Sequence, residues 1–366
     1  MKSPKIKSFI AVLFISICSQ AQINTGVVVL DEVEQSRYQS LIKKNREVAF
    51  IHDSLQTLAD THLKIAPKPL SIITYEGLLE TDPDRIKSIE SLLDANKTVD
   101  LIYAEYGSNK TVYSDKIKEI VLAWANTYKA SGNPINENKL TPLFWGYALH
   151  KSKFSSEEKA IVTTWMQSIA KKQVNRKSTP NNNWQSKRLK IIGIIGCVIN
   201  DESLKLFALE GIKEYISSAY FPDGTSNDLK TRDAMHYHSS GIEPLLDMFI
   251  NLQKFDQRFN QYSYEDEEGT SIEKAINFMK PYLAGERKHR EWVNTTVELD
   301  KQKAKAGLEE YKTGKLYDPK DAIPMLNWAV YYQPELFKYI CGCGTCYICN
   351  VEAFFNSPLI RSGLSE

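Results

Sequence analysis

Residues 184–200 read WQSKRLKIIGIIGCVIN. Leu189, Ile192, Ile195 and Ile199 recur at the spacing of one face of an α-helix. Outward from this segment the same pattern continues on both sides. Residues 31–63 form a long amphipathic stretch, broken by Pro67-Lys68-Pro69. Further helical stretches fall at 85–106, 114–129, 140–151, 157–172, 202–218, 228–253 and 271–282. Gly132-Asn133-Pro134, Pro180 and Pro222-Asp223-Gly224 punctuate them. No run alternates convincingly; residues 27–30 are the best strand candidate and are short. Residues 256–270 are polar, acidic and loop-like, a lid or an ordinary connection, and 298–320 are charged enough to suggest a solvated helix. Helical hairpins bury their apolar faces only by stacking on one another. Stacking gives a solenoid or a closed ring, and no fixed repeat period favours the solenoid. The expectation is an all-α chain folded as an α/α toroid, an incomplete barrel of helical hairpins, in a single domain over 22–366.

Composition agrees. The chain has 366 residues, 42% hydrophobic and 25% charged. These are globular values, which exclude a disordered, collagen-like or polytopic membrane chain. Residues 1–21 carry Lys2, Lys5 and Lys7, then the apolar run 9–17, then Ser19-Gln20-Ala21. This reads as a secretory signal cut after Ala21, and so as a periplasmic or secreted protein with no stable membrane insertion afterwards. A lipoprotein anchor on Cys18 fits less well, because Ile17 is bulky. Formal charge is +1, from 46 basic and 45 acidic residues; losing the three leader lysines takes it to −2. A nucleic-acid partner would need a strong basic excess, so an anionic ligand must instead meet a local patch.

Cys197 stands alone, whereas Cys341, Cys343, Cys346 and Cys349 cluster. In an oxidising compartment their spacing points first to one or two disulfides and second to a structural zinc. No P-loop, Gly-rich dinucleotide fingerprint, HExxH or G-x-S-x-G occurs.

Two segments carry candidate chemistry. TPNNNWQSKR (179–188) puts three asparagines before a strong helix. One serves as an N-cap; a spare carboxamide at the positive end of a helix suits a carboxylate. DGTSNDLKTRDAMHYHSSGIEP (223–244) holds Lys230, Arg232, His236, Tyr237 and His238. On one regular helix, at about 100° per residue, Arg232 and His236 share a face, Lys230, Asp233 and Tyr237 share the next, and His238 points away. Pro244 frees the carbonyl of Ser240 and suggests a kink there. A solvated face with one core histidine is the plain reading. A basic pair, an imidazole and a phenol together are also what proton transfer beside an anion requires. Elsewhere, Tyr75 follows an apolar run and is a cleft or core residue, Trp124, Trp145 and Trp165 read as core, and the basic run 287–290 reads as solvated.

These segments together resemble the alginate lyase family. DGTSNDLKTRDAMHYHSSGIEPL is similar to the family's Asp-Gly-Ser/Thr segment leading to His-Tyr-His and Pro-Leu, and TPNNNWQSKRLKIIGIIG to its Asn-Asn segment. SIITYEGLL and GNPINENKLTPLFWGYAL add support, and the resemblance spans roughly 71–246. It implies a lyase that cleaves a uronate polymer by β-elimination without metal or organic cofactor, alginate first and glucuronan-like polymers next. Tyr237 matches the family's tyrosine, which serves as base and acid, with His236 beside it. Asn182 and Asn183 match the carboxylate-neutralising pair. Lys230 falls where mannuronate lyases have an arginine, a charge Arg232 can supply. Trp184 departs from the family, which has histidine after Asn-Asn, leaving that role to His236 or His238. The expected catalytic set is Tyr237, His236, Asn183 and Arg232. Asn182, Trp184, Lys230, His238, Tyr75 and Arg188 are expected to bind an anionic polysaccharide. Two alternatives stay open: a non-catalytic glycan-binding protein on the same scaffold, and a glycoside hydrolase using two of Asp223, Asp228 and Asp233.

Overall fold

The computed structural model describes residues 26–108, 110–341 and 350–363. The first helices are α1 (Glu32–Lys44), α2 (Arg46–His62), α3 (Pro83–Ser108) and α4 (Thr111–Thr127). The stretch 31–63 is thus two helices. Asn45 is extended and its side chain accepts from the backbone of Glu47 and Val48, capping α2 where α1 stops. Next come α5 (Pro134–Glu137), α6 (Thr141–Leu149), α7 (Ser156–Val174), α8 (Asn183–Val198) and α9 (Glu202–Ala219). They are followed by α10 (Asn227–Arg232), α11 (Met235–Leu252), α12 (Ile272–Leu283) and α13 (Glu298–Lys305). The C-terminal part holds α14 (Ile323–Ala329), α15 (Lys338–Cys341), α16 (Val351–Asn356) and α17 (Pro358–Arg361). Among the described residues there is no strand beyond two isolated bridges.

Helix α8 is buried more completely than one apolar face predicts. Ile191, Ile194 and Val198 are buried along with Leu189, Ile192 and Ile195, because α8 packs against α7, α9 and α11 at once. Gly196 lets α9 come close: a Cβ there would lie 3.0 Å from the Leu204 Cβ and the Lys205 backbone nitrogen. The turn between the two helices uses Asn200 in the left-handed region, φ 56°, and Asp201 then caps α9. Lys190 on α8 and Asp247 on α11 form an ion pair at 2.5 Å with no exposure on either side chain.

Residues 27–30 are extended and buried but are not a strand. Side chains take the place of a ladder. The Asn251 amide accepts from the Val29 N–H at 3.0 Å and donates to the Val27 carbonyl at 2.8 Å. The Tyr103 hydroxyl accepts from Val28 N–H at 2.9 Å. Arg361 closes over this segment, bonding the Val29 carbonyl and Glu34.

The region 298–320 is a helix only to Lys305; the rest is turns and short 3₁₀ segments. Trp124, Trp145 and Trp165 are core. Among the described residues no helix is long and apolar enough to cross a membrane. Residues 1–21, expected from the sequence to be a secretory signal, and the side chains of Cys341, Cys343, Cys346 and Cys349 lie outside the described residues.

Candidate active site

A cleft of about 1010 Å³ opens across the ring. Its walls are the first turns of α11 (His236, Ser239, Ser240, Glu243), Lys187 of α8, Asn138 and Lys139 from the short turn packed against α8, and Tyr75. Glu291, Lys315, Lys320 and Asp321 come from the long connection between α12 and α14. Asn327, Trp328 and Glu352 complete it.

The 228–253 segment is not one helix. Asp233 takes φ 54° and closes α10 in a left-handed turn, and Ala234 then starts α11 without a side-chain cap. The cap comes from far along the chain. The Glu291 carboxylate, 1% exposed, accepts from the Met235 N–H at 2.8 Å, at the positive end of α11. The turn in turn anchors that connection: Asp233 accepts from the Asn294 and Trp292 backbones, at 2.7 and 2.8 Å. Arg232 and His236 therefore do not share a helix face as one continuous helix would have them. Helix α11 runs on through Pro244 to Leu252.

His236 faces the cleft, its Nδ1 3.8 Å from the Glu291 carboxylate. Tyr237 is not among the residues that line the cleft; it lies next to His236, with ring centroids 4.1 Å apart, packed on Trp292 and Tyr311. Its hydroxyl is 3.1 Å from that of Tyr311, which accepts from Lys303 Nζ at 2.9 Å. The Arg232 guanidinium stacks 3.5 Å from the Tyr237 ring centroid and is held by both oxygens of Asp300, which is 1% exposed. Burial raises the Tyr237 phenol well above the usual tyrosine value; the Arg232 charge opposes it.

Asn183 starts α8. Its Nδ2 donates to Ser240 Oγ at 3.1 Å, its N–H donates to the Asp228 carboxylate at 3.2 Å, and its Oδ1 is buried with no hydrogen-bond partner. Burial pushes Asp228 up to about 6, against the pull of Arg232 and of that N–H. Tyr75 lines the cleft between two cations, with Arg85 at 4.7 Å and Lys139 at 4.1 Å from its ring centroid.

The remaining expected residues have other work. Asn182 is the N-cap of α8, accepting from Trp184 N–H at 3.0 Å. Trp184 packs under Arg176, 5.2 Å away, and is not in the cleft wall. Arg188 donates to the Gln173 and Val174 carbonyls, tying α8 to the end of α7. Lys230 is exposed and lies over the Phe221 ring. His238 is buried with both ring nitrogens used, Nδ1 to Ser226 Oγ at 2.8 Å and Nε2 to the Ala275 carbonyl at 3.0 Å. Burial holds it down at about 4.

The alginate lyase family model matches residues 28–289, well over half of the chain. The chain belongs to the alginate lyase family. It is a polysaccharide lyase on an α/α toroid. An alginate lyase from Bacteroides ovatus superposes with a TM-score of 0.60 at 15% identity, covering 87% of this chain and 95% of that one. Alginate lyase A1-III from Sphingomonas species A1 gives a TM-score of 0.51 at 16% identity, covering 83% and 95%. A variant of A1-III complexed with a tetrasaccharide gives 0.51 at 16% identity, again covering 83% and 95%. No curated protein matches the chain.

Sequence reasoning missed Glu291, Asp300, Tyr311, Lys139 and Lys187. Glu291 and Tyr311 come from irregular stretches of the connection, and Asp300 from its short charged helix α13. Lys187 did carry a signal, a cation one turn after Asn183 at the i+4 spacing.

Proposed function

We propose that this lyase cleaves a uronate polymer by β-elimination, alginate first, with Tyr237 as the group that takes the C5 proton and protonates the departing O4. The observation that carries this reading is the setting of one phenol. Tyr237 stands between a guanidinium fixed by Asp300 and a Tyr311 hydroxyl bonded to Lys303, one helical turn from the Ser240–Asn183 pair. The C5 proton of a uronate is too weakly acidic to leave unless the C6 carboxylate is neutralised as charge develops on it. Asn183 and His236 supply donors for that carboxylate. Arg232 favours the phenolate from the ring face and, being paired with Asp300, acts on Tyr237 rather than on the substrate. The phenolate takes the proton from C5, the C4–O4 bond breaks, a C4=C5 double bond forms, and the same phenol returns the proton to O4. The leader 1–21 supports a periplasmic or secreted site of action.

The test is incubation of the mature chain with a panel of uronate polymers, including alginate and a glucuronan, following the ultraviolet absorbance of the unsaturated uronate. Absorbance rising on alginate supports the reading, and rising only on another polymer replaces the substrate. A flat trace on all, with new reducing ends, would refute elimination.

A further inference from the structure

The cleft is not uniformly charged. On the side of the connection, Lys315 and Lys320 face Glu291, Glu310 and Asp321, which leaves no positive excess. Near Glu352 burial pushes a carboxyl up to about 7. The corner bounded by α8, Asn138 and Tyr75 is different. Lys187 and Lys139 enter it from two elements, with Glu243 as the acidic side chain in the wall between them. Two lysine side chains against one carboxylate in this stretch of wall leave room for a second carboxylate as counter-charge.

Behind Ser240 at this corner lies the amide of Asn183, 7% exposed, whose Oδ1 has no hydrogen-bond partner. Lys187 Nζ donates to Ser240 Oγ at 3.3 Å, and that hydroxyl also accepts from Asn183 Nδ2. Lys187, Ser240 and Asn183 thus form one hydrogen-bonded group, one helical turn along α11 from Tyr237. Trp184, by contrast, is turned to Arg176 and brings no charge to the cleft.

Resting on the β-elimination reading, we propose that Lys187, seconded by the neighbouring Lys139, is the cation that binds and neutralises the uronate carboxylate in this chain. Burial lowers both lysines, Lys139 to about 7 with the Lys187 charge as the next cause, and a bound carboxylate relieves that cost.

The experiment compares Lys187→Met and Lys187→Arg on uronate oligomers and on their methyl esters, with a thermal melt of each variant. The Met variant keeps the length of the side chain and loses its charge. The preference for acid over ester, measured as the ratio of kcat/KM, should fall on the order of 10²–10³ in Lys187→Met. Lys187→Arg should recover part of it, and Lys139→Met should lower the ratio less. Equal losses on acid and ester would make Lys187 a packing residue and overturn the proposal. If the wild-type chain forms no unsaturated product, β-elimination fails by itself. Calorimetric affinity for acid against ester oligomers then tests Lys187 alone: no acid preference in the wild type, or one unchanged in Lys187→Met, overturns it.

Discussion

The helices around α8 and α11 and the long connection between α12 and α14 build the same cleft by opposite means. The helical side supplies Lys187, His236, Ser240 and Glu243, with Asn183 behind Ser240, from elements whose apolar positions face the core and so fix where the polar ones point. The connection has little regular structure. It contributes single groups, each held by one or two strong bonds: Glu291 on the start of α11, Asp300 on Arg232, Tyr311 on Tyr237. A long helix face is placed by many weak contacts, whereas these groups, Asp300 on the short α13 included, are placed by a few polar ones. The first should tolerate single changes that the second does not.

The largest break in that comparison should come from Asp300. Asp300→Ala leaves the Arg232 guanidinium without its counter-charge in a largely buried setting, and losing one partner of such a pair costs about 3 kcal/mol or more. Chemical denaturation should show that loss, and activity should fall beyond what the stability change explains, because Arg232 also sets the Tyr237 ring. An activity loss no larger than the stability change explains would detach Arg232 from the chemistry.

Glu291→Ala tests the cap. Removing an N-cap acceptor costs about 1 kcal/mol, and His236 should lose its neighbouring carboxylate with it. Faster amide hydrogen exchange at Met235 and His236, whose N–H groups the carboxylate accepts from, separates that effect from general destabilisation. Gly224→Ala probes the helical side where it enters α10. The backbone there has φ 81°, and a Cβ would lie 2.5 Å from the Lys274 carbonyl oxygen. The expected cost is about 1–2 kcal/mol in thermal or denaturant unfolding with no change in substrate preference.

The smallest effect should be His238. A histidine held below its ordinary value binds its proton less readily folded than unfolded. Its contribution is therefore lost as pH falls from 6.5 through about 4. His238→Gln should flatten the fall of the melting temperature across that window while leaving kcat nearly unchanged. An unaltered slope would show that other groups set it.

Much of this architecture is legible in the sequence, and the limits have physical causes. Periodicity at 189, 192, 195 and 199 marks α8, and Pro and Gly pairs mark its neighbours. It does not show that α8 is enclosed on all sides, because Ile191 and Ile194 look like ordinary extra apolar residues. The His-Tyr-His segment carries the family resemblance. The break at Asp233 is silent, since a non-glycine residue in the left-handed region leaves no strong local signature. That one turn moves Arg232 off the α11 face and onto the Tyr237 ring. The partners that hold it there, Asp300 and Tyr311, lie 68 and 74 residues on, beyond the reach of any local pattern.

The account turns on Tyr237, and its most direct test is the Tyr237→Phe variant on the polymer the wild type cleaves, with kcat and oligouronate affinity measured separately. Removing the hydroxyl should lower kcat by about 10²–10⁴ or more while affinity and melting temperature stay close to wild type. A variant that still forms unsaturated product at the wild-type rate would contradict the account and place the proton transfer on another residue.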